Sequence, residues 1–246
     1  VDKIIPHPGN NAREAEKANL ALGDLRRRIQ DVFPKTFSDM LNADKLAAFC
    51  ASNYRELCPL QGAFNIVYIE GLNPDGTLNA DRPNEWNDLR LLVTKEGDAW
   101  KIVHLAIATT EPGDFYTKSP TNMQGAARIA FGYHPPAWKM GFHKGTQPAL
   151  VQAGNVMIHR DKNRDGLRGR NEPPFRSVPI GLNHHTTSQR FNGEQIGKYS
   201  AGCLVGKNYA QHLEFLSLLK QEARIIAGMP YLYDTWTVPG DKFIAS

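Results

Sequence analysis

Residues 63–70 read Ala-Phe-Asn-Ile-Val-Tyr-Ile-Glu (AFNIVYIE), directly after Gly62. A short run rich in β-branched and aromatic side chains, opening on a turn residue, predicts a β-strand. The same texture recurs at Leu89 to Thr94, Trp100 to Thr110 (WKIVHLAIATT), Val156 to Arg160, Ile180 to His185 and Tyr231 to Val238. Turn chemistry separates these runs: Asn73-Pro74-Asp75-Gly76, Glu96-Gly97-Asp98 and Glu111-Pro112-Gly113. One later stretch departs from it. Asn208 to Ile226 places Leu213, Leu216, Leu219 and Ala223 in line at helical spacing.

Upstream of Gly62 the chain reads as helical. Leu22, Leu25, Ile29 and Val32 share one face of a helix from about Asn11 to Phe33, which Pro34 ends. A second helix is expected from Asp44 to Leu57, with Leu46, Phe49, Cys50 and Leu57 as its apolar set and Pro59 following. The expected fold class is mainly β with helices (α+β), divided into a helical region 1–61 and a β-rich domain 62–246. The N-terminal helices carry no site-type residues, and their single apolar stripe calls for a partner surface.

Composition narrows the function classes. With 246 residues, 41% hydrophobic, 22% charged and 21 Gly, the chain has the make-up of an ordinary globule rather than a disordered or collagen-like one. No run of 18 apolar residues occurs, so no membrane span is expected. A net charge of +4, from 29 basic and 25 acidic residues, is far below what phosphate-backbone binding needs, so nucleic acid is not an expected partner. The opening Val1-Asp2-Lys3 shows no apolar signal segment, so any signal peptide is expected to have been removed or left out. No oligomeric state is legible. Three cysteines, Cys50, Cys58 and Cys203, form no disulfide framework. Cys50 and Cys58 are expected about 12 Å apart along one helix, too far to bridge, and read as core thiols.

Cys203 has the most informative surroundings. Residues 181–206 read GLNHHTTSQRFNGEQIGKYSAGCLVG: a strand ends in two histidines, a polar loop follows, and Ser-Ala-Gly-Cys leads into an apolar pair. Nucleophilic cysteine chemistry needs a thiolate, a base to make it and donors for the oxyanion. Gly202 lets the main chain approach a substrate carbonyl, and an imidazole takes a thiol proton near neutrality. A cysteine entering an apolar stretch is also an ordinary packing residue.

This segment resembles the catalytic motif of the L,D-transpeptidases, cysteine enzymes that cross-link bacterial peptidoglycan. The match lies in Ser200, Gly202 and Cys203, with Ile196-Gly197 before them. The resemblance implies an L,D-transpeptidase-like β-sandwich behind an N-terminal helical region. It makes Cys203 the nucleophile, Ser200 a hydroxyl near the thiol, and the main chain around Gly202 and Cys203 part of an oxyanion hole. Two positions depart from the pattern: Ala201 replaces a His, and Val205 stands where Arg or Asn is usual. His184 precedes Ser200 by 15 intervening residues and His185 by 14, and alignment on Ile196 favours His185 as the base. Only one of the two faces the thiol, because neighbours on a strand point to opposite sides.

The substrates so implied are peptidoglycan stem peptides, cut between an L-centre and a D-residue through a thioacyl enzyme. An amine acceptor gives a cross-link and water a trimmed peptide. An L,D-carboxypeptidase, a phage-type lytic peptidase, or a wall-binding module without chemistry are the alternatives. All place the protein in the cell envelope, outside the cytoplasm, or in a phage lytic system. Residues expected to line the substrate are His184, His143, Arg128 and Tyr199. His143 lies in Phe142-His143-Lys144-Gly145-Thr146, similar to the His-Gly-Thr that often surrounds the family histidine, and Arg128 lies in GAARIAFG (125–132) as a carboxylate partner or a surface ion pair.

No cofactor is expected. Asp161, Asn163, Asp165, Gly166 and Glu172 satisfy a calcium-loop spacing, although Pro173-Pro174 forbids the helix an EF-hand needs, and a plain polar turn is the simpler reading. A zinc site from His184 or His185, Cys203 and His143 or His159 lacks any paired-ligand spacing. Trp86, Trp100, Trp138, Trp236, Tyr116 and Tyr133 fit either a glycan groove or the core.

Overall fold

Asn65–Glu70 forms strand β1, buried along its whole length. Both of its faces are covered, which is why its sequence reads as an unbroken apolar run instead of an alternation. Ile66 and Tyr68 enter one hydrophobic cluster while Val67 and Ile69 enter another. The computed structural model describes residues 41–169, 171–226 and 231–246, so the expected helix from Asn11 to Phe33 lies outside the described residues.

The other strands follow in chain order: β2 Asp88–Glu96, β3 Ala99–Thr109, β4 Ala126–Ile129, β5 Gly132–His143, β6 Gln147–Gln152, β7 Val156–Asp161, β8 Phe175–Ser177, β9 His184–Thr186, β10 Leu204–Gly206 and β11 Tyr233–Pro239. Eight of them close into a barrel in the order β1-β11-β5-β6-β9-β10-β3-β2, and β4-β7-β8 make a separate three-stranded sheet. The chain is therefore mainly β with helices, as expected. The sheet closes on itself, where the sandwich implied by the resemblance would leave open edges. Most joins are antiparallel, while β1 with β11 and β9 with β10 run parallel.

Helix α1, Ala43–Asn53, starts at Asn42, whose Oδ1 accepts the N–H groups of Asp44 and Lys45 at 2.8 and 3.1 Å. Such a cap contributes about 1 kcal/mol. Leu46, Ala47, Phe49 and Cys50 bury against Val67, Leu89, Leu91 and Trp236, so α1 is built into the barrel's own packing. The helix stops at Asn53 rather than Leu57, which leaves Cys58 in the chain beyond it. Asn65 holds that segment by accepting the Cys58 N–H and donating to the Cys58 carbonyl. Cys50 is a buried core thiol pushed up to about 12 by burial, whereas Cys58 is half-buried.

After the short helix α2, Asp114–Lys118, helix α3 spans Tyr209–Lys220 and ends where Gln221 donates back to the Leu218 carbonyl. Its buried face is His212, Phe215, Leu216, Leu218 and Leu219, whereas the expected Leu213 is 40% exposed. Ala223–Ile226 continues as a separate turn, α4, because the Ala223 N–H is captured by the Gly62 carbonyl. Gly240–Ala245 forms the last helix, α5. Among the described residues no helix is long and apolar enough to cross a membrane.

Candidate active site

β9 and β10 lie side by side in parallel, pairing Leu204 with His184 and Val205 with His185. This register brings the two histidines beside the residue that precedes β10, Cys203. The alternation of β9 then separates them. His184 is fully buried, edge-on to Trp138 at 4.6 Å and to Tyr68 at 5.5 Å between ring centres. It is a core residue, turned away from the face that holds His185.

His185 occupies the opposite face, where it stacks flat on His143 with ring centres 3.9 Å apart and planes 13° off parallel. His143 arrives from the end of β5. Ligand-type atoms of His143, His185 and Cys203 all lie within 4.8 Å of one another. The structure thus gathers the three residues from positions 143, 185 and 203, with β6, β7 and β8 lying in the chain between the first two. Each ring has a defined proton position. His185 Nδ1 lies 2.9 Å from the Thr186 carbonyl, which accepts, so Nδ1 carries the hydrogen and Nε2 holds the lone pair. That Nε2 is buried without a hydrogen-bond partner.

His143 is set the other way. Asn183 Oδ1 accepts the Gln152 N–H at 2.9 Å, which turns its Nδ2 donor onto His143 Nδ1 at 3.0 Å. His143 Nδ1 must accept, and its hydrogen sits on Nε2. A metal-bound imidazole instead donates from its free nitrogen to an acceptor. Asn183 supplies a donor there, so these residues do not fit a zinc ion held through His143 Nε2. His159 is elsewhere, with Nδ1 donating to the Glu172 carbonyl at 2.6 Å.

Burial dominates the electrostatics. It pushes the Cys203 thiol up to about 11, against the pull of the Asn183 N–H and Lys144. It also pushes His185 down to about 3, with His143 adding to the effect, and lowers His143 itself. The resting pair is a neutral thiol beside a neutral imidazole, and the thiol donates to the Gly181 carbonyl at 3.3 Å.

Ser200 Oγ does not reach for the sulfur. It donates to the Cys203 carbonyl at 2.8 Å and accepts the Gly202 N–H at 3.1 Å, bracing the turn that presents the thiol. The Gly202 N–H is therefore engaged, while no acceptor among the described residues takes the Cys203 N–H. Gly202 has φ +122°, and a Cβ there would stand 2.3 Å from the Ala127 carbonyl oxygen. Gly202→Ala is expected to cost at least about 1–3 kcal/mol and to displace Cys203, checked by thermal unfolding and by alkylation of the thiol.

Cys203 as a residue is 8% exposed and shares a hydrophobic cluster with Trp86 and Ile196, against which Phe191 and Tyr199 pack, so the 187–202 loop contributes much of this cluster's cover. Tyr199 stacks edge-on to Phe191 at 4.8 Å and shares a hydrogen bond with Ser188 at 3.2 Å. Asn84, at φ +67°, stitches this cover down: its carbonyl accepts the Ile196 N–H, and its Oδ1 accepts the N–H groups of Gly197 and Asp114.

Two expected sites lie apart from the thiol's partners. Arg128 is 5% exposed, not on the surface, and its guanidinium bonds Glu70, Glu111 and the Gly166 carbonyl with Asp81 at 3.9 Å. Arg168 adds a second contact to Glu70 at 2.6 Å. Glu70, Asp81 and Glu111 have metal-ligand proximity, and Arg128 is the cation that pairs with all three. In the calcium-like loop the carboxylates accept main-chain N–H groups: Asp161 from Asp165 and Gly166, Glu172 from Lys162 and Gly169, and Asp165 from Leu167. The aromatic residues divide likewise, with Trp138 and Trp236 in the core and Trp86 over Cys203.

Thr186, Asn183 and Asn84 went unread in the sequence. Thr186 acts through its backbone carbonyl, Asn84 through its carbonyl and its side-chain oxygen, and Asn183 through an amide whose partner is 40 residues away. Compared with known proteins, the chain matches no family model, no curated protein and no solved structure.

Proposed function

We propose that the protein is a cysteine acyltransferase or peptidase acting on peptidoglycan stem peptides in the cell envelope, using Cys203 as an L,D-transpeptidase does. The observation that carries this reading is His185, a ring with one nitrogen within 4.8 Å of the Cys203 sulfur, whose Nε2 is a buried, unpartnered lone pair and whose Nδ1 is locked by the Thr186 carbonyl. That is the arrangement of a general base with its orienting acceptor. The L,D-transpeptidase-like version of the barrel belongs to the same proposal.

In this mechanism the S–H proton moves to His185 Nε2 as the sulfur bonds to the carbonyl carbon between the L-centre and the D-residue. The developing oxyanion is met by the Cys203 N–H, the donor the turn leaves open. The C–N bond breaks, His185 returns its proton to the leaving amine, and a thioester remains. An acceptor amine, or water, then attacks the thioester with His185 again taking the proton. Burial keeps both partners neutral at rest, so the ion pair forms only as the substrate arrives.

Incubation with a carbapenem, followed by intact mass measurement, should show one covalent adduct that is lost in Cys203→Ala. A wild-type protein with no adduct would support a wall-binding module without chemistry. Muropeptide products then assign cross-linking, or the trimming expected of a carboxypeptidase or lytic peptidase.

A further inference from the structure

We propose that His143 is a second catalytic residue, the hydrogen-bond donor that receives the substrate's carbonyl oxygen while His185 takes the thiol proton. This rests on the acyl-transfer reading above and deepens it. The argument is the pair of opposite tautomers. The two imidazoles lie face to face, 3.9 Å apart, yet their neighbours give them complementary hydrogen positions. The Thr186 carbonyl holds the proton of His185 on Nδ1, so the ring's remaining nitrogen, Nε2, offers only a lone pair. The Asn183 amide, itself oriented by the Gln152 N–H, occupies the lone pair of His143, so this ring offers only its Nε2–H.

Neither histidine can substitute for the other without turning an amide or breaking a bond to the backbone. A base and a donor have been made from the same side-chain type. Acyl transfer needs both, because a proton leaves the sulfur while negative charge gathers on the carbonyl oxygen. The main chain supplies fewer donors than the motif suggests, since the Gly202 N–H is held by Ser200 Oγ. A ring nitrogen of His143 lies within 4.8 Å of the sulfur. An oxygen on the carbon bonded to that sulfur, about 2.9 Å from a donor, fits within such a span. His143 is also the half-buried member of the three, while His185 and Cys203 are buried.

The test compares two reactions at Cys203 that differ in whether an oxyanion forms. Iodoacetamide alkylates the thiol by displacement at a saturated carbon and forms none. p-Nitrophenyl acetate acylates the thiol and passes through one. Both adducts are followed on the Cys203 peptide by mass spectrometry in the full chain. His143→Ala should slow acetylation about 10²- to 10³-fold, the loss expected for one oxyanion donor, and should change alkylation less than about threefold. His143→Gln, which keeps an N–H donor on a similar reach, should recover much of the acetylation.

A His143→Ala protein that slows both reactions alike, or neither, would overturn the role. Loss of acetylation in His143→Gln as deep as in His143→Ala would also count against it. If the wild-type thiol is not acetylated, or if His185→Ala leaves acetylation unchanged, the acyl-transfer reading itself fails and this role falls with it. That result is separate from a wild-type protein that acylates normally, depends on His185 and ignores His143.

Discussion

His185→Ala is expected to slow acylation of Cys203 by about 10²- to 10⁴-fold, the usual loss for a general base, and to change the shape of the pH profile. In the wild-type protein burial holds the His185 imidazole down to about 3, so it is unprotonated across the neutral range and the rate should be level there. Without the imidazole the only route to a nucleophile is ionisation of the thiol, which burial pushes up to about 11. The rate in His185→Ala should then climb tenfold per pH unit toward that value. A level profile in the variant would show that another group takes the proton. His184→Ala should behave differently, because His184 packs against Trp138 and Tyr68 on the other face of β9. It should cost roughly 2–5 kcal/mol of stability as a core truncation, with a far smaller effect on acylation in the folded fraction.

Arg128→Met is expected to destabilise the fold by roughly 3–5 kcal/mol, as removal of one partner leaves buried carboxylates uncompensated. Calorimetry at pH 7 and pH 4 checks both the size and the sign. Burial pushes Glu70 up, but Arg168 and Arg128 outweigh it and hold the carboxyl down at about 2. Its contribution is therefore complete above the ordinary carboxylate range and is lost as pH falls toward 2. Asp88 runs the other way: burial, with Glu70 and Asp81 nearby, raises it to about 7. Its contribution is complete below its unfolded value and is lost as pH rises through 7. Glu111 is raised as well, mainly by burial. Removing the guanidinium lets the carboxyls neutralise by taking up protons, so the penalty should be largest at pH 7 and shrink toward pH 4. A penalty independent of pH would place the loss in packing alone.

Much of the strand inventory was legible, because runs such as 63–70 and 100–110 are short, β-branched and bounded by turns. β5 escaped notice for a local reason. Pro135-Pro136 interrupt the pattern of β5, and the structure accommodates them in a bulge: Trp138 pairs with Tyr233 and His134 with Thr235, four residues against two. β10 has three residues, too few to announce themselves. At the site, the link from His185 to Cys203 could be read along one stretch of chain, since a parallel strand pair joins them. The opposite hydrogen positions of His143 and His185 could not, because they are set by the Thr186 carbonyl and the Asn183 amide rather than by the imidazoles. Arg128 misled in the opposite direction: its acids come from positions 70, 81 and 111, and no local pattern foretells that they converge. In the 161–172 loop the spacing placed the oxygens but not the main-chain N–H groups they accept, which depend on the turn's backbone.

The cover held by Asn84 turns reactivity into a matter of populations. With Cys203 only 8% exposed, a peptide as bulky as the proposed wall stem would reach the thiol only in molecules whose 187–202 segment has lifted. The apparent affinity for such a substrate is the intrinsic one scaled by the lifted fraction. Each 1.4 kcal/mol of hold that Asn84 provides would lower that fraction tenfold. On the proposed reaction, Asn84 would set how often this thiol meets its substrate from more than one hundred positions away in the chain, without touching any reacting atom.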